Sequence, residues 1–447
     1  MIDSNKLNLS ILILLSAAII SIPLLHHQGT FSFGGFLIIL FVFIILYLAS
    51  RKNVLNLASH SLPASILPTT VLLSQILGFT FFDFDPNGIR SLAQFIFRAS
   101  FVTAIIFTMN WFSSILKVKN FREWKIFLLF AIAFIMRLSL TRIVLQPNVD
   151  IFDILKYGPQ ALIQGANPYQ PNFGGTLNSP TSSGVTRFIT YWPMSLYPFI
   201  VTELLGIDPR VLLAVIEFLL AFLIYSELKT KRVEKVFRVG IPLLFLYFPF
   251  FPVVTNRSFI DPLILLFLYI AFRFKRQNRY FLSGIMFGCI TATKYLYLPA
   301  MIVFASTIKR IFHNWKILLA SSVTTLALLL PFILWDYDSL LKQTVLNEIK
   351  RQGTYLTQFG LGINGFIWTQ FGTLEYAKYW MILGIILYIL LIWKKMFKSI
   401  ELEYSLTLFI LLLVFPRPLG EQYYFLFGTL IIVAAHLLID SNPAANN

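Results

Sequence analysis

The chain has 447 residues, of which 57% are hydrophobic and 13% are charged, and its formal net charge is +16. Soluble domains are about half apolar and about one quarter charged, so this composition excludes an ordinary soluble protein. Apolar runs of roughly 20 residues, the length that crosses a bilayer as an α-helix, recur along the whole chain. We therefore predict an all-α polytopic membrane protein, a bundle of roughly fourteen helices with two long extracytoplasmic loops that carry interfacial helices.

The first five predicted spans are oriented by the charges of the links between them. Arg51–Lys52 and Lys117–Lys125 are basic, whereas Asp83–Asp85 is acidic. Cytoplasmic links are enriched in Lys and Arg, so the basic links are predicted inside and the link after the fifth span outside. Residues 1–125 form an N-terminal unit of four spans, and the fifth span opens the next unit. The five spans are Leu9–Leu25, Gly35–Ser50, Leu62–Phe82, Leu92–Leu116 and Ile126–Leu145.

The apolar segment Tyr191–Ile207 is ambiguous. If it crossed the membrane, the strongly basic link Lys229–Arg238 would lie outside, against the charge rule. The segment is also short and contains Pro193, Pro198 and Glu203. We therefore predict that it is a helix lying in the outer interface.

The remaining elements complete a core unit, residues 126–335, and a C-terminal unit, residues 336–447. Each unit contains one long outer segment, 146–208 in the core and 336–375 in the C-terminal unit. Loops of this length are more often functional than idle, and these two can meet above the bundle. The later predicted spans are Arg210–Leu228, Val239–Val254, Ile260–Arg273, Tyr280–Tyr295, Leu298–Ile308, Lys316–Trp335, Tyr376–Trp393, Leu402–Phe415 and Tyr423–Ile439.

Asp150 and Asp153 stand at the start of the first outer segment, just past the fifth span. Three residues apart, they share one face of a helix, and repulsion between two close carboxylates raises the proton affinity of at least one. A carboxylate of that kind suits a general base that takes a proton from a hydroxyl. The alternative interpretation is an ordinary solvated helix start, where Asp is common.

Further polar residues of the outer side lie near predicted span ends. Cations there can bind a phosphate or diphosphate, although Lys350 and Arg351 also fit the solvated face of a helix. Arg137 lies deeper in the fifth span, where a charge indicates a function. The candidate substrate-binding residues are Asp153, Tyr157, Asn167, Tyr169, Arg187, Tyr191, Arg257, Asp261, Lys294, Lys350, Arg351, Arg417 and Tyr423.

Other chemistries leave no signature in the chain. No Gly-rich loop that ends in Lys-Ser/Thr is present, which argues against a nucleotide-driven pump. The five histidines are scattered and the single cysteine, Cys289, lies in a span, so we predict no metal site and no intramolecular disulfide. The basic excess follows the cytoplasmic links, so we predict no nucleic-acid partner, and no cofactor is expected.

The order of elements around Asp150 resembles that of one class of membrane enzymes. A span precedes Val149-Asp150-Ile151, a helix then ends in Gly165–Tyr169, and the element Tyr191-Trp192-Pro193 leads into an apolar helix. This arrangement is similar to the GT-C class of integral-membrane glycosyltransferases, and most similar to the mannosyltransferases that use polyprenyl-phosphate mannose. The chain departs from that class in its four additional leading spans and in Tyr-Trp-Pro where Tyr-Pro-Pro is usual.

The resemblance implies a function and a set of roles. The donor is a sugar, mannose in the family, on a polyprenyl phosphate; the acceptor is a hydroxyl of a lipid or glycan; and Asp150 is the catalytic base. Lys294, Lys350, Arg351 and Arg417 are candidates for stabilising the departing phosphate. Membrane lipids are the other expected partners, and the plasma membrane of a prokaryote is favoured over the endoplasmic reticulum.

Two other functions fit the same set of spans. A polymerase or ligase of lipid-linked glycans also combines many spans with a large outer loop. A lipid or glycan transporter needs paired charges near the middle of the bilayer and often an internal repeat. Arg98, Arg137, Glu217 and Lys294 are candidate buried charges, but the two halves of the chain show no convincing repeat.

Overall fold

The computed structural model describes most of the middle of the chain and parts of both ends. Within this part the chain forms fourteen α-helices and no β-strand, so the all-α class is confirmed there. The predicted spans Leu9–Leu25, Gly35–Ser50 and Tyr376–Trp393 lie almost entirely outside it. The described residues are 13, 66–81, 91–115, 123–145, 147, 150–170, 191–248, 251–305, 307–346, 386, 400–414 and 419–440.

The helices are numbered in chain order. They are α1 Ile66–Phe81, α2 Ser91–Ile115, α3 Trp124–Ile143, α4 Asp150–Ile163, α5 Ile200–Leu204, α6 Pro209–Thr230, α7 Lys235–Leu246, α8 Phe251–Asn256, α9 Asp261–Arg276, α10 Tyr280–Thr291, α11 Ile302–Ala305, α12 Ile308–Leu341, α13 Ile400–Val414 and α14 Leu419–Asp440. Short 3₁₀ turns cover Pro193–Ser195, Tyr197–Phe199 and Tyr295–Met301, and a π turn covers Lys342–Leu346.

Four of these helices are long and apolar enough to cross a membrane. They are α2, α3, α6, and α12 together with the π turn that follows it. The helices α10 and α14 are apolar over shorter stretches. The described part therefore has the long apolar helices of a multi-pass membrane protein.

Ion pairs join the helices at one end of the bundle, which we call the inner end. Glu123, just before α3, pairs with Lys229 near the end of α6 at 2.9 Å and with Arg238 of α7 at 2.8 Å. Glu227 of α6 pairs with Arg276 at the end of α9. The Lys and Arg residues gathered here are those that the charge rule predicts on the cytoplasmic side.

Two further pairs bring the later helices to the same inner end. Lys275 of α9 pairs with Glu401 of α13 at 2.7 Å, and Arg310 of α12 pairs with Glu403 of α13 at 2.8 Å. A partly exposed pair such as Lys275–Glu401 contributes about 0–1 kcal/mol, so its main effect is to fix which helix ends lie together.

The helices α3 and α6 also meet at the opposite end, which we call the outer end. Arg210, at the start of α6, donates to the carbonyl oxygens of Val144 at 2.7 Å and Thr141 at 3.1 Å, at the end of α3. Asp208 caps α6 by accepting a hydrogen bond from the backbone N–H of Arg210 at 2.8 Å. Residues 144 and 210 thus lie at the same end of the bundle, as the prediction that Tyr191–Ile207 does not cross the membrane requires.

Tyr191–Ile207 differs in form from the single interfacial helix that the sequence predicts. It consists of two 3₁₀ turns and the five-residue α5. Proline lacks a backbone N–H and fixes φ, so Pro193 and Pro198 restrict the segment to short turns. The predicted span Val239–Val254 is also broken, into α7 and α8, and Leu298–Ile308 becomes a 3₁₀ turn followed by α11 and the start of α12.

Two glycines four residues apart bring α10 against α12. A Cβ atom on Gly284 would lie 2.5 Å from the carbonyl oxygen of Ile317, and one on Gly288 would lie 2.8 Å from that of Ser321. Small residues at this spacing allow membrane helices to approach closely, where dispersion contacts rather than water exclusion hold them together. The glycines therefore fix the position of α10 and of the turn that follows it.

Gly284→Ala is expected to force α10 away from α12. The added methyl group would meet backbone atoms, which cannot rotate aside as a side chain can, so we expect a loss of about 1–3 kcal/mol in unfolding free energy. The measurement is the thermal unfolding midpoint of the purified protein in detergent. Phe281→Ala, at an exposed position of the same helix, is the control; equal midpoints for the two variants would contradict this packing.

Candidate functional site

A buried ion pair links the start of α9 to the turn after α10. Nζ of Lys294 lies 3.1 and 3.4 Å from the two carboxylate oxygens of Asp261. The hydroxyl of Tyr297 donates to the same carboxylate at 3.3 Å. Asp261 is fully buried and Lys294 is 4% exposed. Charges at this depth are tolerated when each has a partner, and here each compensates the other.

The first outer segment is attached to this turn through its backbone. The N–H groups of Trp192 and Met194 donate to the carbonyl oxygens of Thr293 and Ala292, both at 3.0 Å. Carbonyl groups at the end of a helix have no partner within the helix, so the outer segment serves as the C-terminal cap of α10. The turn after α10 and the segment from Tyr191 therefore hold each other in place.

Tyr191 itself is held from two sides. The ammonium group of Lys294 lies 5.2 Å from the centre of the Tyr191 ring, a cation–π distance. The hydroxyl of Tyr169 donates to the Tyr191 carbonyl oxygen at 3.0 Å, and the Asn167 side chain accepts from the Tyr169 N–H at 3.0 Å. Burial raises the pKa of the Tyr169 phenol well above its usual range, so this group acts as a neutral donor.

A second buried ion pair lies between α3 and α6. The guanidinium of Arg137 pairs with the carboxylate of Glu217, which also accepts a hydrogen bond from the hydroxyl of Tyr424. Arg137 donates to the Leu246 carbonyl oxygen at 2.8 Å and lies 4.4 Å from the centre of the Phe251 ring. It therefore caps the last turn of α7 and contacts the first residue of α8, at the break between these two helices.

Two consecutive residues of α14 connect the two ion pairs. Tyr424 reaches Glu217, and the next residue, Phe425, packs its ring 4.6 Å from the ring of Tyr297, which bonds Asp261. The helices α3, α6, α9 and α14 and the turn after α10 thus converge on one set of polar side chains. We call this set the polar layer; it consists of Arg137, Glu217, Asp261, Lys294, Tyr297 and Tyr424.

The helix α4 belongs to the first outer segment and begins at Asp150, the predicted base. The guanidinium of Arg210 lies 5.1 Å from the centre of the Phe152 ring, which ties the start of α4 to the outer end of α6. A Cβ atom on Gly158 would lie 2.8 Å from a methyl group of Leu196, so the middle of α4 packs on the segment after Tyr191. The carboxylate of Asp150 lies outside the described part, and its role stays a prediction.

The start of the second outer segment lies beside the end of α4 and the residues that follow it. The side chain of Gln170 forms a hydrogen bond with Asp336, the first residue of the second segment. The ring of Phe332 lies 5.3 Å from that of Tyr169 and 6.2 Å from that of Tyr197. The upper part of α12 is therefore a wall against which the first outer segment packs.

The structure brings together five of the predicted substrate-binding residues. Asp261, Lys294 and Tyr191 are in contact, and Tyr169 and Asn167 support Tyr191. Of the other candidates, Asp153 and Tyr157 are half-buried and Arg257 is exposed. Those that lie outside the described residues are Arg187, Lys350, Arg351, Arg417 and the side chain of Tyr423.

The sequence did not indicate every member of the polar layer. Arg137, Glu217 and Lys294 are buried as predicted, but Arg98 is exposed, which corrects that prediction. Tyr297 and Tyr424 were not among the candidates, because a tyrosine in a span is usual at a membrane boundary. The sequence indicates that each buried charge needs a polar partner, but it does not identify the residue that serves as the partner.

Among the described residues, no group of three His, Cys, Asp or Glu side chains is arranged to hold a metal ion. The polar layer supplies two compensated charge pairs and two phenols. Comparison of the chain with known protein families, curated proteins and solved structures gave no match.

Proposed function

We propose that the protein is an integral-membrane glycosyltransferase that moves a sugar from a polyprenyl-phosphate donor to a hydroxyl of a lipid or glycan on the outer face. One observation carries the proposal: α4, which begins at Asp150, packs on the segment that is bonded to the Lys294 turn. This arrangement supports a site at the outer end of the bundle. A membrane-embedded donor and a hydroxyl acceptor have to meet at such a boundary.

In the proposed reaction Asp150 is the general base. It takes the proton of the acceptor hydroxyl while that oxygen attacks the anomeric carbon of the sugar. The bond between this carbon and the phosphate oxygen breaks, and the polyprenyl phosphate leaves with the electron pair. The leaving group needs no proton at neutral pH, because cations stabilise its charge.

The cations differ in their availability for that role. The carboxylate of Asp261, 3.1 Å from Nζ of Lys294, already compensates the charge of this lysine. A phosphate beside Lys294 would face the repulsion of that carboxylate. In the proposed mechanism Lys294 therefore positions the turn and Tyr191, and the phosphate is assigned to the remaining predicted cations, Lys350, Arg351 and Arg417.

Asp150→Asn is expected to abolish sugar transfer without changing the stability of the protein. Loss of a general base costs about 100-fold to 10,000-fold in rate. The measurement is transfer of labelled mannose from polyprenyl-phosphate mannose to a membrane-lipid extract, by purified protein in detergent. Gln164→Ala, at an exposed position just after the same helix, is the control and should stay within about tenfold of the unsubstituted protein. Unreduced transfer by Asp150→Asn would refute this role.

A second candidate, a transporter, is favoured by the two buried ion pairs of the polar layer. Paired charges inside a bundle mark ion or substrate pathways in many membrane proteins. Consumption of the donor in detergent solution distinguishes the two functions. A glycosyltransferase consumes polyprenyl-phosphate sugar in detergent solution, where no ion gradient exists, whereas a transporter leaves the donor intact there.

A further inference from the structure

A short link joins the end of α3 to the helix that begins with the proposed base. The helix α3 ends at Ile143, Val144 has an extended backbone, and α4 begins at Asp150. The last carbonyl groups of a helix have no partner within it, so a helix end is fixed only by groups from elsewhere. The place of Asp150 therefore depends on what holds the two helix ends on either side of this link.

The guanidinium of Arg210 holds the α3 side of the link. Its Nη1 donates to the carbonyl oxygen of Val144 at 2.7 Å, and its Nη2 donates to that of Thr141 at 3.1 Å. Arg210 belongs to the first turn of α6, which begins at Pro209. The start of α6 therefore supplies the C-terminal cap of α3.

The same guanidinium holds the α4 side of the link. Its central carbon lies 5.1 Å from the centre of the Phe152 ring, within the range of a cation–π contact. Phe152 is buried in the first turn of α4, two residues after Asp150. Arg210 thus contacts the chain on both sides of Asp150, at Val144 before it and at Phe152 after it.

The hydrogen-bonding capacity of Arg210 is used within the protein. Its Nε donates to the carboxylate of Asp208 at 2.9 Å, and its Nη2 also pairs with that carboxylate. All three guanidinium nitrogens therefore have acceptors, and the side chain is fully buried. A group held in this way is not available to a substrate, so its effect on a reaction passes through the residues that it holds.

We propose that Arg210 is the positioning residue for Asp150. It fixes the end of α3 and the first turn of α4 in one geometry and so sets where the proposed base stands at the outer end. The proposal rests on the proposed function for the role of Asp150, whereas the contacts of Arg210 are independent of that function. A misplacement of about 1 Å at a catalytic group can cost about 100-fold in rate.

Two substitutions separate the two sides of the link. Arg210→Lys keeps the charge but replaces a planar group with three nitrogens by a single nitrogen, which cannot reach all of these partners. Phe152→Leu removes the ring and leaves the contacts of Arg210 with α3. Arg142→Lys, at an exposed position in the last turn of α3, is the matched control. The readout is backbone amide hydrogen exchange of the purified protein in detergent, followed by mass spectrometry.

Arg210→Lys is expected to speed amide exchange at least about tenfold in α4 and in the last turn of α3, and Phe152→Leu in α4 alone. Exchange requires local opening, and a helix that loses a packing partner opens more often. Arg142→Lys should leave both regions unchanged. Unchanged exchange in α4 for both Arg210→Lys and Phe152→Leu would overturn the proposal, whatever the activity of the protein.

Sugar transfer tests whether Arg210 acts through the base. Arg210→Lys is expected to lower the transfer rate per folded protein about 10-fold to 100-fold. In an Asp150→Asn background it should change the residual rate less than about threefold, because no base remains to be misplaced. The same loss in both backgrounds would indicate general damage and overturn the positioning role. An unsubstituted protein without transfer would contradict the proposed function alone, since the exchange result stands by itself.

Discussion

Glu217→Ala is expected to be the most damaging single substitution in the described part of the bundle. It leaves the guanidinium of Arg137, which is 1% exposed, without its carboxylate. Removing one partner of a buried pair costs about 3–5 kcal/mol, and arginine cannot escape by losing its proton. Tyr424 would lose its acceptor in the same step. We expect most of the variant to be recovered as aggregate, with a strongly lowered thermal midpoint in the folded remainder.

Size-exclusion profiles and thermal midpoints of the detergent-purified protein measure this effect. Glu234→Ala removes an exposed carboxylate at the N-cap of α7 that makes no capping hydrogen bond, and it should stay within about 0.5 kcal/mol of the unsubstituted protein. The double variant Arg137→Met/Glu217→Met removes both charges and should recover much of the loss, since a buried pair can be exchanged for apolar side chains. A folded, unshifted Glu217→Ala protein would show that Arg137 is not buried as described.

The second large effect is expected from Asp261→Ala. This change leaves the buried ammonium of Lys294 without a carboxylate and removes the acceptor of Tyr297. The expected loss is again about 3–5 kcal/mol at most, but lysine can become neutral by releasing its proton, which arginine cannot. We therefore expect Asp261→Ala to be less severe than Glu217→Ala, and recoverable as a folded protein with a lowered midpoint.

A double-mutant cycle separates the pair from other effects of the substitution. Asp261→Ala, Lys294→Met and the double variant are compared by thermal midpoint in the same detergent. Residues in direct contact give coupling energies of about 0.5–3 kcal/mol, so the double variant should lose less than the sum of the two single losses. Strict additivity would mean that the two side chains act independently and that the pair does not hold the turn.

The long apolar helices of the described part were predictable from sequence, whereas their orientation in the membrane stays a prediction. Inside a bilayer every backbone group has to bond within its own helix, so an apolar run such as Trp124–Ile143 has one available structure. The basic links then assigned the inner end, where Glu123, Lys229 and Arg238 meet. The interruptions were less predictable, because a break such as that after Leu246 depends on a capping group from another helix, here Arg137.

Several single residues of the candidate site were predictable from sequence, but the contacts between them were not. Asp261 and Lys294 were recognised separately, 33 positions apart in the chain, from their place near predicted span ends. Their contact requires the start of α9 and the end of α10 to lie at the same level of the bundle. The glycines Gly284 and Gly288 set the position of α10 against α12, and this packing has no counterpart in the charge pattern.

By itself the sequence determined that the chain has the composition of a bilayer protein and that it is helical. It also determined which end of the bundle carries the basic residues. Composition and link charges fix these properties because they report the free energy of transferring each segment between water and lipid, which is a local quantity. Only the tertiary structure decided that Arg137 takes Glu217, that Lys294 takes Asp261, and that Tyr191 packs against Lys294. Those choices depend on the relative depth of helices distant in the chain, which close packing sets and no local pattern encodes.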